Sequence, residues 1–420
     1  MTTRRTFLAT SLAATAYAAT ARSANANSKI TLGLMGCGGR GKGIIQAFAK
    51  LPNVEVAYVS DPDEKRMNET AAALVKIEKP APKTVTDFRK ILDDKSVDAI
   101  ICAAPNHWHA PAGILACSAG KHAYIEKPCS HTPKEGEMLV EAAAKNNRLV
   151  QMGNQRRSYP KIQEAITKLH EGVIGRVYYA QAWYINDRPS IGEIKETSPV
   201  PAGLDYELWQ GPSARKDFHK NYLHYNWHWF WNWGNGELGN NGIHMIDLMR
   251  WGLEVSFPTR VTSSGGRYRY TDDQETPDTH TVGFEFPGRK QIVWEGFSCN
   301  MIPREKPADI QFCGEKGTLT INGSNYTIYD VKGKEIATEK GAGGGGAHFA
   351  NFIDAIRGEA KLNSPITEGH KSTLLCHLGN IAHRTGRTLK CSDKDGKIEN
   401  DADAMKLWTK EYAKGFEPKV

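Results

Sequence analysis

Between residues 30 and 152, short apolar runs alternate with longer segments whose apolar residues recur at helical spacing. The runs are Ile30 to Met35, Val54 to Ser60, Val97 to Ala104, His122 to Ile125 and Leu149 to Met152. Each is short and continuous enough to be a strand buried on both faces. The segments between them (Lys42 to Lys50, Glu64 to Ile77, Pro111 to Ala119, Pro133 to Asn146) read as amphipathic helices. Repeated βα units predict a parallel sheet with helices on both faces and right-handed crossovers. Ligands of such sheets bind outside the carboxyl ends of the strands. Gly36, Asp61, Asn106 and Lys127 all fall at those ends, so one crevice can hold them all.

From about residue 155 the pattern changes. A helix (Pro160 to His170) leads to a strand-like run, Val177 to Tyr184, then to a Pro-rich loop across 188–212. The segment Asn226 to Trp233 places tryptophan at every second residue, the period of a half-buried strand, and a helix follows from Ile243 to Trp251. Six β-rich runs come next, Arg260 to Tyr270, His280 to Phe286, Gln291 to Cys299, Ile310 to Cys313, Thr318 to Ile321 and Tyr326 to Tyr329, with hairpin signals at Pro287-Gly288 and Asn322-Gly323. Helical patterning resumes at His348 to Arg357 and Glu368 to Arg384. The expected α/β architecture is a dinucleotide-binding Rossmann domain over 28–152 and a second α/β domain over 153–420 with a large open, mostly antiparallel sheet. The Gly341 to Gly346 patch lacks the Lys-Ser/Thr of a phosphate loop and reads as a flexible linker.

The chain's start adds an address. Thr3-Arg4-Arg5-Thr6-Phe7-Leu8, a short Ala-rich stretch and Ala24-Asn25-Ala26 have the order of a twin-arginine export signal over 1–26, so a periplasmic or otherwise exported location is expected. The apolar part is too short for a membrane span, and no other stretch approaches one. The formal charge of +7 falls to a modest value once Arg4, Arg5 and Arg22 are removed, and no Lys/Arg-rich run marks a nucleic-acid footprint. None of the 8 cysteines forms a C-x-x-C pair, which argues against a metal site and a disulfide framework.

The candidate chemistry starts where the first run breaks, at Gly36-Cys-Gly38-Gly-Arg-Gly41 before a helix. Glycines at this spacing serve a tight turn, close approach to a pyrophosphate and close helix–strand packing, with the phosphate on the free N–H groups of the helix. Asp61, at the tip of the second strand, can accept hydrogen bonds from an adenosine ribose and favours NAD. Arg40 keeps NADP open, because it could pair with a 2′-phosphate. Lys127, in Glu126-Lys127-Pro128 at a strand end, would face the nicotinamide side, where partial desolvation suits it to exchange protons with a hydroxyl. His244 and Asp247 share a helix face one turn apart, so the carboxylate could fix the imidazole tautomer. The tryptophans, Trp229 among them, could stack on sugar rings or simply pack a core. His107 and His109 lack a third metal ligand.

Together these residues resemble the Gfo/Idh/MocA family, named for glucose–fructose oxidoreductase and inositol dehydrogenase. The resemblance runs from about Ile30 to Thr388 and rests on the glycine triplet, Asp61, Pro105 to His109, Glu126-Lys127-Pro128 and Gly242 to Asp247. It implies that Lys127 and His244 contact the reacting hydroxyl and that the second sheet serves homo-oligomerisation. It also assigns Gly39, Asn106, His109 and Glu126 to the cofactor cleft, Asn154 to the neighbourhood of the nicotinamide, and Arg156 and Asn240 to the substrate. Many sugar dehydrogenases of the family carry aspartate four residues before the histidine. Asparagine at 240 cannot supply that charge. The expected activity is NAD-dependent oxidoreduction of a sugar, cyclitol or glycoside hydroxyl, with a tightly held, recycled cofactor. The alternatives are glycoside cleavage by transient oxidation, known among family relatives, and a non-catalytic sugar-binding protein with a vestigial NAD site.

Overall fold

The computed structural model describes residues 28–302 and 308–420, so the expected leader lies outside the described residues. In the first half, β1 (Ile30–Met35), β2 (Val54–Ser60), β3 (Lys83–Val85), β4 (Ala99–Cys102), β5 (His122–Ile125) and β6 (Val150–Met152) make one sheet in the order β3-β2-β1-β4-β5-β6. Every pairing in it is parallel. Strands β1 and β4 are buried along their whole length, as a sheet covered on both faces requires. The chain builds outward from β1 to β3, then returns to β4 on the other side of β1. That reversal opens a crevice above the ends of β1 and β4. One of the covering helices, Gly346–Arg357, comes from far along the chain and packs Phe349 and Phe352 on Phe48 and Tyr124.

The second sheet has nine strands. They are β7 (Val177–Ile185), β8 (Arg260–Gly266), β9 (Thr279–Phe286), β10 (Lys290–Phe297), β11 (Ile310–Gly314), β12 (Gly317–Asn322), β13 (Asn325–Asp330), β14 (Glu335–Glu339) and β15 (Leu389–Lys390). Their order is β14-β13-β12-β11-β7-β10-β9-β8-β15, antiparallel except for the parallel pair β7 and β10. Period-two burial (Val282, Phe284 and Phe286 on β9, Ile292 and Trp294 on β10) turns one face towards helices Pro160–His170, Ile243–Gly252 and Ile366–Thr385.

Three sequence expectations change. The tryptophan segment is not a strand. Asn226–Trp229 is a turn of 3-10 helix, and Trp229 and Trp233 enter a satellite core with Tyr206, Trp209, Phe218 and Phe230. Strand β14 escaped the apolar pattern because it is a largely exposed edge strand. The glycine patch is not a free linker: Gly341 bonds Ser324 and Asn325, and Gly346 opens a helix.

At the crevice, Gly36 has φ +91°, and a Cβ there would lie 2.5 Å from the Ala104 nitrogen. A Cβ on Gly41 would lie 1.8 Å from the Gly36 carbonyl oxygen, so the helix Gly39–Ala49 touches the turn backbone to backbone. Gly39 faces open space. Gly41→Ala is therefore expected to lose dinucleotide affinity by at least about tenfold and to cost about 1–3 kcal/mol of stability. Gly39→Ala, which meets no protein atom, should leave stability unchanged. Calorimetric titration with NAD and thermal melts of the two variants check both outcomes.

Candidate active site

A cleft of about 720 Å³ runs along the strand ends, from Asp61 and Arg66 at one extreme to Lys127, Asn240 and His244 at the other. Gly36, Gly38, Gly39 and Arg40 line its middle. The helix starting at Gly39 has no side-chain cap, so its first amides are free for an anion in the cleft. Asp61 Oδ2 accepts from the Cys37 amide at 2.6 Å and Oδ1 from the Asp63 amide at 2.9 Å. Burial pushes its carboxyl up to about 6 against the pull of those amides. At the far end, Asn154 is buried with neither atom of its amide bonded, an orphan donor and acceptor beside the cleft-lining Gln155. Uncapped amides, backbone-tight glycines, a buried acceptor and an unpartnered amide together fit a bound dinucleotide.

The long insertion between β7 and the helix Ile243–Gly252 closes over the Asp61 end. The Glu64 amide donates to Gly203, the Asp205 amide to Pro62, and His224 Nε2 stands 2.8 Å from Asp63 Oδ2. Leu208, Trp209, His224, Tyr225, Trp227 and His228 from this insertion line the cleft. The rings of Trp227 and His228 are stacked at 3.6 Å.

The reacting end is built by two elements. Lys127 extends from the end of β5 over a cis Lys127-Pro128 bond. Its Nζ donates to the Asn240 carbonyl at 2.5 Å and to Asn240 Oδ1 at 3.0 Å. Asn240 lies in a turn of π-helix, Leu238–Gly242, a wide turn that precedes the regular helix and that recurs at functional sites. His244 Nδ1 is buried without a partner. Burial, then the nearby cations Lys127, Arg156 and Arg40, hold His244 well below the usual histidine range, so the ring is neutral. Burial also lowers Lys127, against the pull of Glu126.

Several assignments move. Asp247 does not orient His244: Arg157 grips its carboxylate at 2.7 and 2.8 Å, and Ser372 donates to it at 2.6 Å, all in the core. Sharing a helix face did not decide the partner; a buried carboxylate needs a buried cation, and Arg157 supplies it through two hydrogen bonds. Arg40 does not wait for a 2′-phosphate, since Glu126 takes its Nε and Nη2 at 3.1 and 2.7 Å. The cation beside Asp61 is Arg66. Glu126, also bonded to Gln155, is a partner of protein groups first. Arg156 is held by Asp309 and the Gly323 carbonyl rather than facing the cleft. Trp229 is buried with its ring 5.0 Å from the Arg188 guanidinium, and Trp227 faces the cleft instead. His109 and Asn106 line the cleft, but the His109 ring nitrogens meet the Pro128 and Ala104 carbonyls and the Asn106 amide donates to Asn235.

Arg66, Gln155, Leu208, Trp209, His224 and Arg188 went unnoticed in the sequence. Of these, His224 adjoins the aromatic segment, the signal that could have drawn attention to it.

Residues 30–154 match the model described as oxidoreductase family, NAD-binding Rossmann fold, and residues 189–417 match that of the oxidoreductase family C-terminal alpha/beta domain. A glycosyl hydrolase family 109 protein of Shewanella putrefaciens is 26% identical over 162 residues, 38% of this chain. The match spans 35% of that relative's length. The WlbA dehydrogenase of Bordetella pertussis, solved in complex with NADH and UDP-GlcNAcA, superposes with TM-score 0.68 at 19% identity over 87% of this chain and 98% of its own. Levoglucosan dehydrogenase in complex with NADH and levoglucosan gives 0.68 at 18% over 86% and 99%. At such identities the likeness is one of fold.

The Asp61 carboxyl supplies a pH dependence with a definite sign. A bound ribose donates best to the ionised form, so NAD affinity should weaken below about pH 6, by up to about tenfold per pH unit. Unfolding is not the cause expected in that range. A carboxyl raised in the folded state contributes stability as pH falls through about 6, because the cost of its buried charge is relieved. Titrations of NAD from neutral to acidic pH should show the loss, and Asp61→Asn should flatten it.

Proposed function

Because this chain belongs to the GFO/IDH/MocA oxidoreductase family, we propose that it is an NAD-dependent enzyme that oxidises and reduces a hydroxyl-bearing carbon of a sugar, cyclitol or glycoside. The observation that carries this reading is the Lys127, Asn240 and His244 cluster at the end of the glycine-cradled cleft. Accepting and returning the hydride of a carbinol carbon is the chemistry that NAD supplies when bound there.

A neutral lysine amine has two N–H bonds and one lone pair. Asn240 takes both N–H bonds, through its carbonyl and its Oδ1, so the lone pair is left for the cleft that both residues line. The carbinol proton passes to that lone pair. Lys127 then holds it as an ammonium and gives it back when the carbonyl is reduced. Burial lowers the proton affinity of Lys127, which favours the amine form that takes up the carbinol proton. Neutral His244 donates one hydrogen bond to the same oxygen and fixes which hydroxyl is presented. Trp227, stacked on His228, offers an apolar wall for a sugar ring.

The matched relative named as a glycosyl hydrolase supports a second reading on the same residues. A transient ketone acidifies the neighbouring C–H, the glycosidic bond leaves by elimination, water adds, and reduction restores the hydroxyl. Both readings allow a cofactor restored within each cycle. The insertion anchored at Pro62, Asp63 and Glu64 supports tight retention. So does the twin-arginine leader, since the export route it names carries folded proteins and leaves no evident supply of free NAD. The open sheet, with Tyr178 and Ile336 exposed, suits a homo-oligomer.

Lys127→Ala is expected to lower kcat by about 10²–10⁴-fold while bound NAD is retained. NADH absorbance during incubation with a sugar panel reads it, and unchanged turnover of a confirmed substrate would refute the assignment of Lys127. Product analysis with aryl glycosides against free sugars separates hydrolysis from oxidoreduction. Mass spectrometry of the secreted protein should find its first residue near Asn27.

A further inference from the structure

Position 240 poses a question that its surroundings answer. An asparagine amide can face either way, and only its neighbours choose. Asn240 lies between a donor and an acceptor. Lys127 Nζ reaches its Oδ1 at 3.0 Å, and its Nδ2 stands 3.4 Å from Glu237 Oε1. Glu237 is 3% exposed and sits at the start of the same wide turn. Its other oxygen pairs with Arg188 Nε at 2.8 Å, and Asn241 also donates to Oε1. Arg188 is held in place by the rings of Tyr184, Tyr225 and Trp229.

We propose that Glu237 is a positioning residue for Lys127: its carboxylate orients the Asn240 amide, and through that amide it supplies the negative charge that position 240 itself lacks. Arg188 sets the strength of that charge. The inference rests on the reading of Lys127 as the proton-transfer group. Charged and titratable groups face Lys127 from every side. Glu126 adjoins it in sequence, Arg40 comes from the glycine-rich helix, and His109 comes from the helix Asn106–Ser118. Glu237 and His244 come from the π turn and the helix after it, and Arg188 and His228 from the insertion. Two of these contacts are matched ion pairs, Arg40 with Glu126 and Arg188 with Glu237. Removing one member of a pair unbalances the field at the amine in a known direction.

The test needs no substrate. With lysine labelled at Cε, the Lys127 resonance is assigned by its absence in Lys127→Met, and its titration midpoint is read in the full-length protein. Glu237→Gln keeps an acceptor for the Asn240 amide but removes the charge, and should lower the midpoint by about one unit, a tenfold change in the proton equilibrium. Arg188→Met should raise it by a similar amount. The double variant should return close to the wild-type value, which a merely structural role would not produce. Should Glu237→Gln fail to fold, the rise in Arg188→Met and its reversal in the double variant still decide. A midpoint unmoved in folded variants would overturn the proposal. If the midpoints move but Lys127→Met leaves turnover intact, the coupling stands and the catalytic reading of Lys127 falls.

Discussion

The hydrogen bonds from Lys127 to Asn240 join the end of the first sheet to the turn that opens the helix Ile243–Gly252, and they close the far end of the cleft. Each side depends on the other. The lysine nitrogen sits in poorly solvated surroundings, where an unpaired N–H is costly. Asn240 satisfies it twice, once through the backbone and once through the side chain. The wide turn presents both acceptors to the same atom. The two sheets are thus tied together at the far end of the cleft.

The charges around this joint come as pairs. Arg40 with Glu126 and Arg188 with Glu237 each bury the carboxylate and leave the guanidinium partly exposed. Such pairs are poor sources of stability, because the desolvation cost offsets most of the attraction. Their effect is on the field. Each pair offsets much of its own charge at Lys127, so burial dominates and lowers its proton affinity, and Glu237 contributes the negative charge that Arg188 leaves uncancelled. The Arg157 and Asp247 pair differs: both partners are buried, Ser372 completes the carboxylate, and it anchors the helix Ile243–Gly252 from beneath. The helix therefore carries a cleft-lining histidine on one side and a structural ion pair on another, and His244 and Asp247 belong to different networks.

What was legible in the sequence was what local sterics or local period determines. Gly36 is required by its positive φ and Gly41 by its contact with the Gly36 carbonyl, both local constraints, so their spacing revealed the turn. Asp61 and Lys127 were legible because parallel strands deliver their carboxyl ends to one edge. The partners of side chains were not legible. Nothing in the spacing of His244 and Asp247 says that Arg157, ninety positions away from Asp247, would take the carboxylate. Arg40 lies in the glycine turn itself and Arg66 on the helix Glu64–Val75 beyond β2, and only tertiary packing sends the nearer one to Glu126 and leaves the farther one beside Asp61. Alternating tryptophans misled for a related reason. A period of two records which residues are apolar, whereas a short segment walled in by Trp209, Tyr222 and Phe230 buries them by turning.

The insertion ties these observations together. It supplies Arg188 to the reacting end, Trp227 and His228 to the wall, and His224 to the Asp63 contact at the adenosine end. One continuous segment thus touches both ends of the cleft. Lifting it away would cost the backbone bonds at Pro62 and Gly203 together with the aromatic cluster beneath it. Arg188, at the start of the segment, is anchored separately, its amide donating to the Ser298 carbonyl. The cover over the cleft and the charge pair beside Lys127 are thus built from one stretch of chain, residues 186–235.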